Sequence, residues 1–107
     1  MSVMVIACYR PKPGRDADLL SLMKSHLPTL KTEGLVGDGP AMAGRAMDGT
    51  LVEIFCWKSQ ASIDAAHSNP TVGAMWRAFG EACDYVTIAD VAGARDLFTP
   101  LDPVDLS

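Results

Sequence analysis

Asp48-Gly49-Thr50-Leu51-Val52-Glu53-Ile54-Phe55-Cys56-Trp57-Lys58 is the stretch whose reading decides the fold. Asp-Gly is a strong two-residue hairpin signal. It predicts a strand over 50–58 that folds back on another over 41–47, with Met47 opposite Thr50, Arg45 opposite Val52 and Gly44 opposite Glu53. Side chains alternate along a strand, so Leu51, Phe55 and Trp57 point one way and Val52, Ile54 and Cys56 the other. Both faces are apolar.

The elements on either side complete the pattern. Val3 to Arg10 is β-branched and aromatic and ends at Pro11-Lys12-Pro13-Gly14, which predicts the first strand. Asp16 can open a helix with its stripe at Leu19, Leu20, Met23, Leu27 and Leu30, which Pro28 should kink or break and Gly34 should stop. Ser59 or Ser62 can cap a short second helix in which Ile63, Ala66 and His67 share a face. Asn69 as N-cap with Pro70 in the first turn restarts it, and Val72, Met75, Trp76, Phe79 and Cys83 form an apolar stripe. Tyr85 to Val91 reads as the fourth strand, and 92–107 as an irregular tail.

The expected fold class is therefore α+β, a ferredoxin-like βαββαβ unit with a four-stranded antiparallel sheet, in a single domain over 1–107 with its core in about 3–91. Two helices cover one sheet face. The other apolar face should be buried against a second copy, making a face-to-face homodimer. A net charge of −4 with the basic residues scattered singly argues against nucleic acid, and no run approaches a membrane span. Cys8, Cys56 and Cys83 lack a CxxC spacing and read as free thiols of a cytoplasmic protein; a Cys8–Cys56 bridge is too long for antiparallel central strands. Two isolated histidines do not make a structural zinc site, so no metal is expected.

Tyr9-Arg10-Pro11-Lys12-Pro13-Gly14, Glu53-Ile54-Phe55-Cys56-Trp57, and Ala66-His67-Ser68-Asn69-Pro70 followed by Trp76 together resemble the antibiotic biosynthesis monooxygenase-like family of dimeric α/β barrels, over roughly residues 3 to 91. The resemblance implies a dimer with sheets packed back to back and a small apolar pocket between sheet and helices. It further implies an oxygenase that uses neither metal nor flavin, in which a deprotonated phenolic or quinol substrate itself reduces oxygen. The protein then supplies a dry pocket and a base. Some relatives degrade haem with an Asn, a Trp and a His; the His is missing here, where the chain reads Tyr85-Val86-Thr87.

Each candidate residue has a functional and a plain reading. His67, sharing a face with Ile63, should point toward the sheet as a base, or be a buried histidine bonded to backbone at the break. Glu53 is a carboxylate between Leu51 and Phe55, either an assisting base or half of an ion pair with Lys58, Arg45 or Arg77. Asn69 could hold a substrate oxygen or only cap a helix. Trp57 and Trp76 could shape the pocket, and Trp76 could equally be plain core. Tyr9 and Tyr85 could bring phenols to its mouth or simply pack, and His26, beside Pro28, should be solvated or cap its helix. The expected function is cofactor-independent oxygenation of a small hydrophobic phenol or quinol, with His67 and Glu53 catalytic. A non-catalytic ligand-binding or sensor dimer and a cofactor-free isomerase or decarboxylase are the alternatives.

Overall fold

The computed structural model describes all 107 residues. Its strands are β1 (Val3–Pro11), β2 (Met42–Arg45), β3 (Leu51–Trp57), β4 (Cys83–Val86) and β5 (Asp102–Val104); its helices are α1 (Asp16–Thr32), α2 (Gln60–Ala66) and α3 (Pro70–Ala82). They form one antiparallel sheet in the order β4-β1-β3-β2-β5. This is a small α+β fold compatible with a ferredoxin-like arrangement, with β1 and β3 central, adjacent and antiparallel, as the βαββαβ order predicts. The fifth strand corrects the expectation of four. It comes from the C-terminal segment, which is not irregular but returns to pair with β2.

Local chemistry accounts for the helix ends. Ser59 accepts the Ser62 N–H at the start of α2, and Asn69 accepts the N–H groups of Thr71 and Val72 at the start of α3. α1 closes on Gly34 at φ +74°, with Gly34 N–H donating to Lys31 and Leu35 N–H to Leu30, while Leu30 and Leu35 share one apolar cluster. Pro28 does not break α1. It lies exposed on the outer side, and Met23, His26 and Leu30 hold the turns around it against the core.

The hairpin register differs from the expected one by a residue. Ala46 N–H donates to Thr50 O and Gly49 N–H to Ala46 O, so the loop is Met47-Asp48-Gly49, and Gly49 takes φ +89°. Thr50 N–H is capped by Asp48 Oδ1, which stabilises the three-residue loop over the two-residue one. Arg45 consequently pairs with Leu51, Gly44 with Val52 and Ala43 with Glu53.

The helices cover the inner face, where Tyr9, Leu51, Phe55 and Trp57 meet Leu19, Met23, Leu30, Val72 and Phe79. The outer face is partly covered by the chain itself. β4 stops at Val86, a 3-10 turn (Ile88–Asp90) follows, and Val91, Ala94 and Leu101 then pack on Cys8, Ala46 and Val52. Gly44 permits this: a Cβ there would stand 2.8 Å from Leu101 Cβ. What remains open on that face is a patch of Met4, Ile6 and Met42. The three cysteines are free, Cys8 paired with Val52 and Cys56 with Met4, so strand register keeps those two apart. No helix is long and apolar enough to cross a membrane.

Candidate functional site

Glu53 is completely buried on the inner face of β3. Its sheet neighbours there are Ala7 and Ala43, whose small side chains leave room for a carboxylate and whatever pairs with it. The partners are Tyr9, whose hydroxyl donates to Oε1 at 2.8 Å, and His26, whose Nδ1 lies 2.8 Å from the same oxygen. Oε2 has no partner. Neither Lys58, Arg45 nor Arg77 reaches the group; Arg45 instead holds Asp16 at the start of α1.

His26 is 3% exposed, which corrects the expectation of a solvated or capping residue. It sits on the same helical stripe as Leu19, Met23 and Leu30, at spacings of seven, three and four, and that spacing was the signal available in the sequence. Its ring packs edge-on to Phe55 and Phe79, with centroids 5.5 and 5.0 Å away. Trp76 Nε1–H donates to its Nε2 at 3.2 Å. Because Nε2 accepts, Nδ1 carries the proton and donates to Glu53. A chain of donors thus runs Trp76 to His26 to Glu53, with Tyr9 closing it from the other side.

Beside this network lies an apolar cavity of about 770 Å³, within the size range of small-molecule sites. Its floor is made by buried groups, among them Tyr9, His26, Phe55 and Trp57. Trp76 forms a wall, and the rim is made by exposed Arg77, Tyr85, Thr87 and Ile88. Consecutive residues of β1 from Val5 to Tyr9 line it, because β4 ends opposite Cys8 and leaves the first half of that strand edge uncovered. Tyr85 donates to the Trp76 carbonyl at 2.8 Å, its ring over Gly80.

The expected site residues are therefore divided. Glu53, Tyr9, Trp57, Trp76 and Tyr85 gather around one cavity, with Glu53 behind its floor. His67 does not join them, which corrects its inward orientation. His67 is the C-cap of α2, still helical in backbone (φ −66°, ψ −20°), but its side chain turns back to its own helix on the solvent side. Its Nδ1–H donates to Ile63 O at 2.8 Å, and its ring is exposed, edge-on to Trp76. Asn69 is occupied by capping α3 and by donating to Glu33.

Burial and the Glu53 charge push the Tyr9 phenol far above its ordinary range, so it remains a donor. Partial desolvation at the rim raises Tyr85 to about 12, while burial raises Cys83 to about 11 and raises Cys8 as well, which leaves these thiols poor nucleophiles near neutral pH. No group of three or more His, Cys, Asp or Glu side chains converges as a metal site would require.

The chain is similar in structure to Rv0793 from Mycobacterium tuberculosis, with TM-score 0.64 and 20% identity over 80% of this chain and 89% of that one. It is also similar to a conserved protein from Methanosarcina mazei Go1, with TM-score 0.61 and 19% identity over 78% of this chain and 83% of the other. No family model and no curated protein matches. At such identities the likeness is one of fold alone.

Proposed function

We propose that the chain is an oxygenase-like enzyme of the antibiotic biosynthesis monooxygenase-like group, acting without cofactor on a small hydrophobic phenol or quinol in the cavity. The observation that carries this is the buried Glu53–His26 pair, whose outer nitrogen reaches the cavity wall at Trp76. A substrate hydroxyl would take the place of the indole N–H on His26 Nε2 and give up its proton there. Glu53 holds Nδ1–H and stabilises the imidazolium that forms. The resulting anion is electron-rich enough to reduce oxygen itself. For an anthrone reacting as its enol, the ring CH opposite the hydroxyl becomes C=O; one oxygen atom enters that carbon and the other leaves as water with the C–H hydrogen and the hydroxyl proton held by His26. His26 replaces His67 in the base role.

Oxygen uptake with anthrone or a simple quinol tests this. Substrate-dependent uptake should occur and fall about 10²-fold or more in His26→Ala. Absence of uptake with the whole panel would remove the oxygenase reading. A ligand-binding or sensor role is the second reading, favoured by the fact that Trp76 already occupies the lone pair of His26.

The partner we propose is a second copy docked on the outer sheet face, supported by exposed Met4, Ile6 and Met42 on adjoining strands. Sedimentation at micromolar concentration should show a dimer, and Ile6→Asp a monomer; a monomeric wild type would refute it. The free thiols suit a reducing cytoplasm.

A further inference from the structure

We infer that the cavity selects apolar molecules bearing a carboxylate, and that Arg77 is the residue that reads the charge. The inference deepens the reading above and rests on it, in that a small apolar ligand must occupy this cavity. Of the residues that line the cavity, none is Asp or Glu, and Arg77 is the one permanent charge. Arg10, Arg15 and Arg45 each hold a carboxylate, whereas Arg77 has neither a salt bridge nor a hydrogen bond. Its guanidinium is also not extended away from α3. Nη1 lies 3.6 Å from the point where a Cβ on Gly73 would stand, so the side chain runs back along the helix over a second cavity-lining residue.

Gly73 itself requires explanation. A glycine inside a helix costs about 1 kcal/mol relative to alanine, and this one does not adopt a positive φ. A Cβ here would stand in ordinary van der Waals contact with Arg77 Nη1 and no other group, so the glycine lets the guanidinium lie over the cavity lining without being demanded by packing. A planar fork with free donors, at the rim of an apolar pocket, matches a carboxylate in two parallel hydrogen bonds. The chain's net charge of −4 offers anions no general attraction, so any preference for them must arise locally. The ligand would place its ring against Trp57 and Trp76 and its carboxylate at the rim. Arg77 is then a specificity-determining residue, and His26 handles the proton deeper in.

The test is calorimetric titration at pH 7 with 2-naphthoate, 2-naphthylmethanol and 2-naphthylmethylammonium, which share a ring and differ in charge. Wild type should bind naphthoate about fivefold more tightly than the alcohol, and the ammonium compound least well. Arg77→Gln should bring naphthoate down to the alcohol's affinity while leaving the alcohol unchanged, and Arg77→Lys should retain part of the preference. Circular dichroism checks that each variant is folded. Equal wild-type affinities for naphthoate and alcohol, or a preference that survives Arg77→Gln, would overturn the inference while leaving oxygen uptake as a separate question. Failure of all three compounds to bind at millimolar concentration would overturn both it and the use of the cavity as a ligand site.

Discussion

Replacing His26 with leucine, of similar volume, tests whether the buried network is held together by charge. In the wild type, Glu53 is fully buried with two donors on one oxygen and none on the other. His26→Leu removes one donor and leaves Tyr9 alone to hold the carboxylate. It also strips the acceptor from Trp76 Nε1–H, which borders the cavity and can turn to water there. A hydrogen bond to a charged group contributes about 1.5–3 kcal/mol, and stripping one partner from a buried charge costs about 3–5 kcal/mol in all. The substitution should therefore destabilise the fold by about 3–5 kcal/mol. In a Glu53→Gln background the same change removes only a neutral interaction, and its cost should drop to about 1–2 kcal/mol. Urea unfolding of the four proteins at pH 7, at one fixed protein concentration so that any association contributes equally, gives the coupling directly. A His26→Leu cost that is the same in both backgrounds within about 0.5 kcal/mol would refute the reasoning, since it would mean that the Glu53 carboxylate does not depend on the His26 donor.

Tyr9→Phe deletes the other donor to Glu53 and should cost about 1.5–3 kcal/mol in the same assay; a loss below about 0.5 kcal/mol would show that His26 alone satisfies the carboxylate. Gly44→Ala sets a Cβ against the Leu101 Cβ, an atom that moves only with its backbone. It should destabilise by about 1–3 kcal/mol and speed amide exchange across 101–104; unchanged protection there would show that the tail does not rest on β2. Stability should also fall at alkaline pH. Cys83 is an acid whose folded value is raised from 9.0 to about 11, so the native state keeps a proton that the unfolded chain releases. That contribution is complete below pH 9 and is lost as the pH rises to about 11, amounting to about 2–3 kcal/mol for this buried thiol. Cys83→Ala should flatten the decline measured by denaturant unfolding across that window, and an unchanged slope would exclude Cys83 as its source.

What could be read in the sequence and what could not divide along the range of the interactions involved. The central strand, the Asn69–Pro70 helix start and the Gly34 stop follow from residues within a few positions of one another, and the observed caps are made by those residues. The hairpin register was decided by a side chain two positions away, Asp48 bonding Thr50 N–H, which adds one residue to the loop that Asp-Gly alone would make. The tail lay beyond this range altogether. A proline such as Pro103 is excluded from central strands, but β5 is an edge strand, where a missing N–H can face outward, and nothing local announces that Gly44 leaves a place for Leu101.

The site shows the same division in sharper form. Glu53 stood out because a carboxylate interrupts an apolar face, and such an anomaly is visible wherever the strand packs. Its partner was not visible as a partner, since twenty-seven positions separate His26 from Glu53 and only the fold joins them. His67 drew attention for lying at a conspicuous break, but a break is where backbone carbonyls lack donors, and its imidazole is used to satisfy one of them. His26, in the uneventful middle of α1 on a stripe of leucines and a methionine, had no such local demand to meet. A polar side chain on a well-formed apolar stripe must find its partner across the core. Between two histidines, the one without a local hydrogen-bonding task is therefore the stronger candidate for the buried carboxylate, and here the fold brings His26 to it.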